Sequence, residues 1–284
     1  MVNTLIGIVT YGNLDFTRLA IESIKETTKD HSLDFIVVVG KPGDTKTIKY
    51  LADNNIFHII HNSNFGFPKS INDIYDYAWK AHKYDYLIIA GNDIVVYPYA
   101  IDSLINLAEI SDYDLICATE YNVKDLIKDF PRIEKYFVGP KLIFTDFSSK
   151  CWELFTDYSP EIKLGGPISA DIQNLALYKK SVFDTIGYTD VAFFPCYFID
   201  NDYAKRIQLS GLKYYSLLNA RFFHFWSRTF KQESGGSTDH YFDNNKSYYI
   251  WKWGGEPDNE TKTPDVNINS REKEQAIINY WRSI

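Results

Sequence analysis

Cysteine is scarce in this chain of 284 residues, and its three copies, Cys117, Cys151 and Cys196, stand far apart. They form no CxxC pair and no zinc spacing, which excludes a zinc module and a disulfide-stapled scaffold. So odd and sparse a set fits a reducing compartment, with Cys117 and Cys196 reading as plain core residues among apolar neighbours. Long apolar runs are also missing; no window approaches the roughly 20 residues of a membrane span. The opening Met1-Val2-Asn3-Thr4 shows no basic stretch leading into a long apolar one, the mark of a signal peptide. A cytoplasmic protein without a membrane span is expected. Basic runs are absent too, and the net charge is −7, which argues against tight non-specific binding to nucleic acid, although a local basic groove would be compatible with it. There is no internal repeat at solenoid periods.

What is present is an ordinary globular composition, 45% hydrophobic and 24% charged. The length allows one large domain or two small ones. Aromatic residues reach 17%, with 22 Tyr, 19 Phe and 6 Trp. Their apolar faces and polar tips suit sugars and bases, while AT-rich coding raises Tyr, Phe, Ile, Asn and Lys together and accounts for much of the excess.

Short apolar runs alternate with segments of helical spacing. Strands are expected at 5–10, 33–39, 56–60, 86–90 and 113–119, and helices at 14–28, 45–52, 68–82 and 99–108. This alternation predicts βαβ units, a parallel sheet and right-handed crossovers. Further on, a strand pair is expected within 137–147, a strand at 172–178 and a helix at 179–186. A helix at 203–209, a strand at 213–218, and helices at 241–253 and 271–282 follow. The central stretch is Asp85–Pro98, where the apolar run Tyr86–Ala90 stops at Gly91-Asn92-Asp93 and an apolar run resumes at Ile94-Val95-Val96. A carboxylate at the C-terminal end of a buried strand stands where open α/β sheets bind ligands. Asp93 is thus a candidate ligand for a divalent metal; capping a turn is the equal alternative.

Several segments fall in a telling order. Ile8-Val9-Thr10-Tyr11 precedes a helix containing Ala20-Ile21-Glu22-Ser23-Ile24, and Asn64-Phe65-Gly66-Phe67 precedes Asn72. Gly91-Asn92-Asp93 comes next, then Phe198-Ile199-Asp200-Asn201-Asp202-Tyr203 with Ser210-Gly211-Leu212 after it, then His224, then Tyr248-Tyr249 and Lys252-Trp253-Gly254-Gly255. Together they resemble the family-two glycosyltransferases, over roughly 5–107 and 170–255. The resemblance implies an α/β GT-A fold: a Rossmann-like, mostly parallel central sheet flanked by helices. It implies a catalytic domain at 1–226, with a nucleotide-sugar half (1–119) and an acceptor half (120–226), and a helical extension at 227–284.

The resemblance also implies roles. Thr10, Tyr11, Asn64, Gly66, Phe67, Asn72, Asn92 and Asp93 would contact a nucleoside diphosphate sugar donor. Asp93 and His224 would hold Mn2+ or Mg2+, Asp200 would be the general base, and Asp171 and Asp202 would face a saccharide or other hydroxyl acceptor. Gly66, lacking a Cβ, would let the backbone approach a ligand closely. The C-terminal helix would close over the donor side, and Ser227, Thr229 and Lys231 would lie near phosphates. Several of these residues also have a plainer reading. Gly66 is a loop glycine before a Pro-led helix, Asp200 or Asp202 caps a helix starting at Tyr203, His224 is a packed core residue, and Asp171 is a loop aspartate. Three positions depart from the family pattern. Gly91 stands where the first Asp of the metal motif belongs, Ile199 where a Glu precedes the base, and Val39-Gly40-Lys41 where an Asp follows the second strand. One carboxylate can still suffice for Mg2+, which takes phosphate oxygens and water as further ligands.

The expected chemistry is an inverting transfer of a sugar, hexosyl in type, to a hydroxyl. The alternatives are a degenerate relative that only binds a nucleotide sugar or a protein, and a viral enzyme that glycosylates modified DNA bases; the acidic charge weighs against the latter. A sugar nucleotidyltransferase would need a glycine-rich loop with a basic residue where Thr10-Tyr11-Gly12-Asn13 stands. A homodimer contact through the aromatic C-terminal region is a further possibility.

Overall fold

A computed structural model describes residues 2–121, 137–138, 141–142, 172–225 and 239–268. Its elements follow the chain as β1 (Thr4–Thr10), α1 (Leu14–Thr27), β2 (Leu33–Val39), α2 (Thr45–Asp53), β3 (Phe57–Ile60) and α3 (Gly66–Tyr75), which runs on into a π-helical turn, Asp76–Ala81. Next come β4 (Tyr86–Ala90), β5 (Ile94–Val96), α4 (Ala100–Ile110), β6 (Leu115–Tyr121), the two-stranded ribbon β7 (Phe137–Val138) and β8 (Lys141–Leu142), and β9 (Leu175–Lys179). The last are α5 (Lys180–Ile186), α6 (Ile199–Leu209), β10 (Tyr214–His224) and α7 (Asp239–Trp253).

Eight strands make one sheet in the order β3-β2-β1-β4-β9-β6-β10-β5. The pairs β1–β2, β1–β4, β2–β3 and β6–β10 are parallel, and β4–β9, β6–β9 and β5–β10 are antiparallel. Successive side chains of a strand point to opposite faces. Leu5, Ile36, Leu87 and Ile89 therefore meet Ile71 and Ile74 of α3 and Tyr203 of α6 on one face. Ile6, Val37 and Ile88 meet Ile21 of α1 and Leu104 of α4 on the other. With both faces covered, a central strand must be apolar throughout. Leu87, Ile88 and Ile89 are each at most 1% exposed, and each such side chain contributes about 1.5–3 kcal/mol by leaving water.

The sheet cannot be flat. Only Gly91–Asp93 separates the end of β4 from the start of β5, yet β9, β6 and β10 lie between the two strands. Four strand spacings of ~4.8 Å amount to ~19 Å, and four residues reach at most ~14 Å. The sheet curls, and β5 packs against α1, where the Val96 N–H donates to Ser23 Oγ at 3.1 Å. An irregularity in β10 assists. Leu217 pairs with Ala118 and Arg221 with Thr119, so Leu218–Ala220 are extra residues that bend the strand.

The expected elements match the observed ones except at their ends. Strand 172–178 is β9, which starts only at Leu175. The helix expected at 203–209 starts at Ile199, so Asp200 and Asp202 both sit in its first turn. Its N-cap residue is Phe198, at φ 62, and no side chain caps it; the capping role read for Asp202 is not what the structure has. The helix expected at 271–282 lies outside the described residues.

Candidate functional site

The parallel strands β1, β2, β3, β4, β6 and β10 all end on one edge of the sheet. That edge gathers Tyr11, Gly40, His61, Gly91–Asp93, Glu120 and His224. Asp93 precedes β5, and β5 pairs antiparallel with β10 so that Ile94 faces His224. Glu120 pairs with Phe222, two residues from His224 and so on the same face. The curl and the bend of β10 thereby bring three side chains together. His224 Nε2 lies 3.1 Å from Asp93 Oδ1, and its Nδ1 lies 3.5 Å from Glu120 Oε2. The Phe225 N–H donates to the Asp93 carbonyl at 2.9 Å and fixes the strand end. Burial by itself would lower the pKa of His224, but hydrogen bonds donated to Asp93 and then Glu120 outweigh it and raise the imidazole to about 10. In this arrangement Asp93 and Glu120 favour the protonated form of His224.

Glu120 was not legible as a site residue. Only its place at the end of a strand on this edge pointed to it, and its partner is 104 positions away. As a donor set, Asp93 and Glu120, joined by His224 once it has given up its extra proton, suit a hard divalent cation whose remaining ligands are phosphate oxygens and water. Among the described residues, however, no three His, Cys, Asp or Glu side chains are already disposed around a metal position.

The residues expected at the donor divide into two groups. Tyr11 is half-buried beside Gly40, and Asn64 is exposed, with its Oδ1 accepting from the Gly66 N–H at 3.0 Å. Others turn inward. The Thr10 hydroxyl is fully buried, donates to the Gly12 carbonyl at 2.9 Å and lies 2.8 Å from Thr17 Oγ1. Asn92 is 9% exposed and donates to Thr17 at 3.3 Å, so Thr10, Thr17 and Asn92 brace the turns of β1 and β4 from beneath. Asn72 clamps Thr189: its Nδ2 donates to the Thr189 carbonyl at 3.0 Å, and its Oδ1 accepts from the Thr189 N–H at 2.9 Å.

Gly66 makes room for protein, where a close approach to a ligand was expected. At φ +82, a Cβ there would lie 2.8 Å from Phe194 Cδ2 and 3.2 Å from Pro195 Cα. The Phe67 N–H donates to the Pro195 carbonyl at 2.7 Å, which binds this loop to the segment before α6.

Asp200 is half-buried in the first turn of α6. Its charge reaches the Cys196 thiol, whose pKa is raised well above the ordinary value first by burial and then by Asp200. Asp202, expected at the acceptor, is instead fully buried. It accepts from Arg206 Nε at 3.0 Å and Trp253 Nε1 at 2.9 Å, and lies 2.6 Å from Lys252 Nζ. Helix α7 packs on Phe193 and Ile199 beside α6. Asp171, Ser227, Thr229 and Lys231 lie outside the described residues. Cavities of about 440 Å3 and 650 Å3 flank β3, away from Asp93. No described helix is long and apolar enough to cross a membrane.

The same architecture occurs in solved structures. A mannosyltransferase from Pyrobaculum calidifontis, in complex with GDP-Man and Mn2+, superposes with a TM-score of 0.52 at 11% identity, over 78% of this chain and 56% of that one. S. aureus TarS 1-349 gives a TM-score of 0.52 at 10% identity, over 78% of this chain and 60% of that one, and its complex with UDP gives 0.51. At such identity the likeness concerns the fold, which is GT-A, and this chain spans less than two thirds of those longer chains. No curated protein sequence matches the chain. The model of glycosyl transferase family 2 matches residues 5–187, well over half of the sequence, and the chain belongs to that family.

Proposed function

We propose that the protein transfers a sugar from a nucleoside diphosphate sugar to an acceptor hydroxyl with inversion. The observation that carries this reading is the convergence of Asp93, Glu120 and His224 on the strand edge, with Asp200 in the first turn of α6. Asp93, with His224 and Glu120, would hold Mn2+ or Mg2+ against the donor diphosphate. Such a cation, when bound, offsets the charge that grows on the leaving group. Tyr11 and Asn64 border the same edge and suit the nucleotide. Asp200 accepts the proton of the acceptor hydroxyl as that oxygen attacks the anomeric carbon. General-base help of this kind contributes about 10²–10⁴-fold.

Two measurements test the reading. Thermal stability is first followed against GDP-mannose and a set of UDP-sugars, with and without Mn2+; a donor at 100 times its Kd stabilises by about 2.7 kcal/mol. With the donor so identified, Asp200→Asn loses about 10²–10⁴-fold in turnover while donor binding survives. Near-native turnover by Asp200→Asn would remove the base assignment. A second reading, a relative that binds a nucleotide sugar without turning it over, is favoured by Asp93 already being engaged by His224. Donor binding with no transfer or hydrolysis would establish it.

A further inference from the structure

A set of charges clusters behind the first turn of α6. Lys252, on α7, places Nζ 2.6 Å from Asp190 Oδ2 and 2.6 Å from Asp202 Oδ1. Asp190 also accepts from the Ala192 N–H at 3.0 Å and from the Tyr248 hydroxyl at 2.9 Å. Asp202 pairs with Arg206, and neither is exposed. The two carboxylates and Arg206 are out of water, where an ion pair holds only if its geometry is kept and its remaining valences are met. Burial would push Asp190 up, but Lys252, chiefly, brings its carboxyl below the ordinary value.

A second anchor on the same helix acts on the loop between these two carboxylates. Asn245, 2% exposed, donates through Nδ2 to the carbonyls of Phe193 at 3.1 Å and Tyr197 at 3.4 Å, and also to that of Cys196. The next residues, Tyr197 at φ 72 and Phe198 at φ 62, are in the left-handed region that L-residues avoid. Such a backbone persists only where its surroundings over-determine it. Here Asp190 fixes the loop at its start, Asp202 at its end and Asn245 in between, and α7 supplies both Lys252 and Asn245. Asp200 stands directly between the strained pair and Asp202.

We infer that Lys252 is a positioning residue for Asp200: by joining Asp190 to Asp202 it holds the 193–198 loop, and with it the first turn of α6, in the shape that aims the Asp200 carboxylate at the acceptor. The inference rests on the proposed role of Asp200 and adds that α7 belongs to the catalytic apparatus.

Cys196 offers a reporter that needs no activity, since its half-buried thiol lies inside the loop, while Cys117 in β6 is buried in the core. Lys252→Met keeps most of the side-chain stem and removes the charge. Site-resolved alkylation by iodoacetamide under native conditions should run about tenfold faster at Cys196 in Lys252→Met, with Cys117 still protected, because opening is local. Kinetics with GDP-mannose or UDP-glucose, whichever the stability panel selects, should show kcat down about tenfold with the donor KM within about twofold. In the Asp200→Asn background the same substitution should cost nothing more, because a residue acting through Asp200 has nothing left to act on. Lys252→Arg, which keeps the charge, should recover most of both readings, and it carries the test by a smaller change in each if Lys252→Met does not fold. An unchanged Cys196 rate, or losses that simply multiply in the double variant, overturns the inference. Full turnover by Asp200→Asn alone overturns it together with the base assignment; the labelling, which is independent of turnover, tells that outcome from a failure of Lys252 to hold the loop.

Discussion

Replacing Gly66 by alanine isolates the contact between the 64–67 loop and the segment before α6. Two costs add. A left-handed backbone, here φ +82, costs an L-residue about 1–2 kcal/mol. The new methyl would also lie 2.8 Å from Phe194 Cδ2 and 3.2 Å from both Pro195 Cα and the Pro195 carbonyl oxygen, two of them backbone atoms that cannot swing aside. Overpacking of this kind costs about 1–3 kcal/mol. The sum is about 2–5 kcal/mol. Gly43→Ala is the control, for its φ is +73 but nothing lies within 4 Å of the position, so only the backbone cost applies. The smaller entropy of an unfolded alanine chain favours both variants by about 0.4–1 kcal/mol and cancels in the comparison. Urea unfolding gives the two midpoints, and unchanged m-values show that stability alone has moved. Gly66→Ala should be the less stable by about 1–3 kcal/mol. Equal losses in the two variants would mean that the loops do not meet as described.

Asp202→Asn leaves Arg206, fully buried, facing a neutral amide; breaking such a pair costs about 3–5 kcal/mol in urea unfolding, and a loss below about 1 kcal/mol would show the pair to be dispensable. In metal-free protein, NMR should show His224 titrating near 10, and Asp93→Asn should bring it down towards its ordinary value of about 6.5. Because the folded value is raised, the stabilisation by this pairing is complete below about pH 6.5 and is lost as pH rises through about 10, which urea midpoints at pH 6 and pH 10 would register. A wild-type titration near 6.5 would refute the clasp by Asp93 and Glu120.

The sheet was readable because its signal is local. The runs Tyr86–Ala90 and Ile36–Val39 are apolar because both faces are covered, and their lengths and turns mark them as strands. Asp93 and His224 were readable as candidates through their order in the chain. The rest depended on distant partners. The start of α6 is set by Tyr197 and Phe198 in a left-handed backbone held from α7, so a local reading began the helix four residues late and gave Asp202 a cap it does not make. Thr10 ends an expected strand and Asn72 lies in an expected helix, but only the packing of Thr17 and Thr189 against them shows that they face inward. Glu120 acquires its meaning from the register of β6 against β10, which no window around residue 120 contains.

The bridge from β4 to β5 works as a ruler. Its three residues, Gly91–Asp93, are fewer than a flat sheet of this strand order would need, and that deficit bends the sheet. Each added residue would lengthen the reach by up to ~3.5 Å, so two more would let a flat sheet satisfy the same connections. What the turn specifies is therefore a length as well as a set of side chains. The spacing that delivers Asp93 to His224 is written in how few residues the turn has.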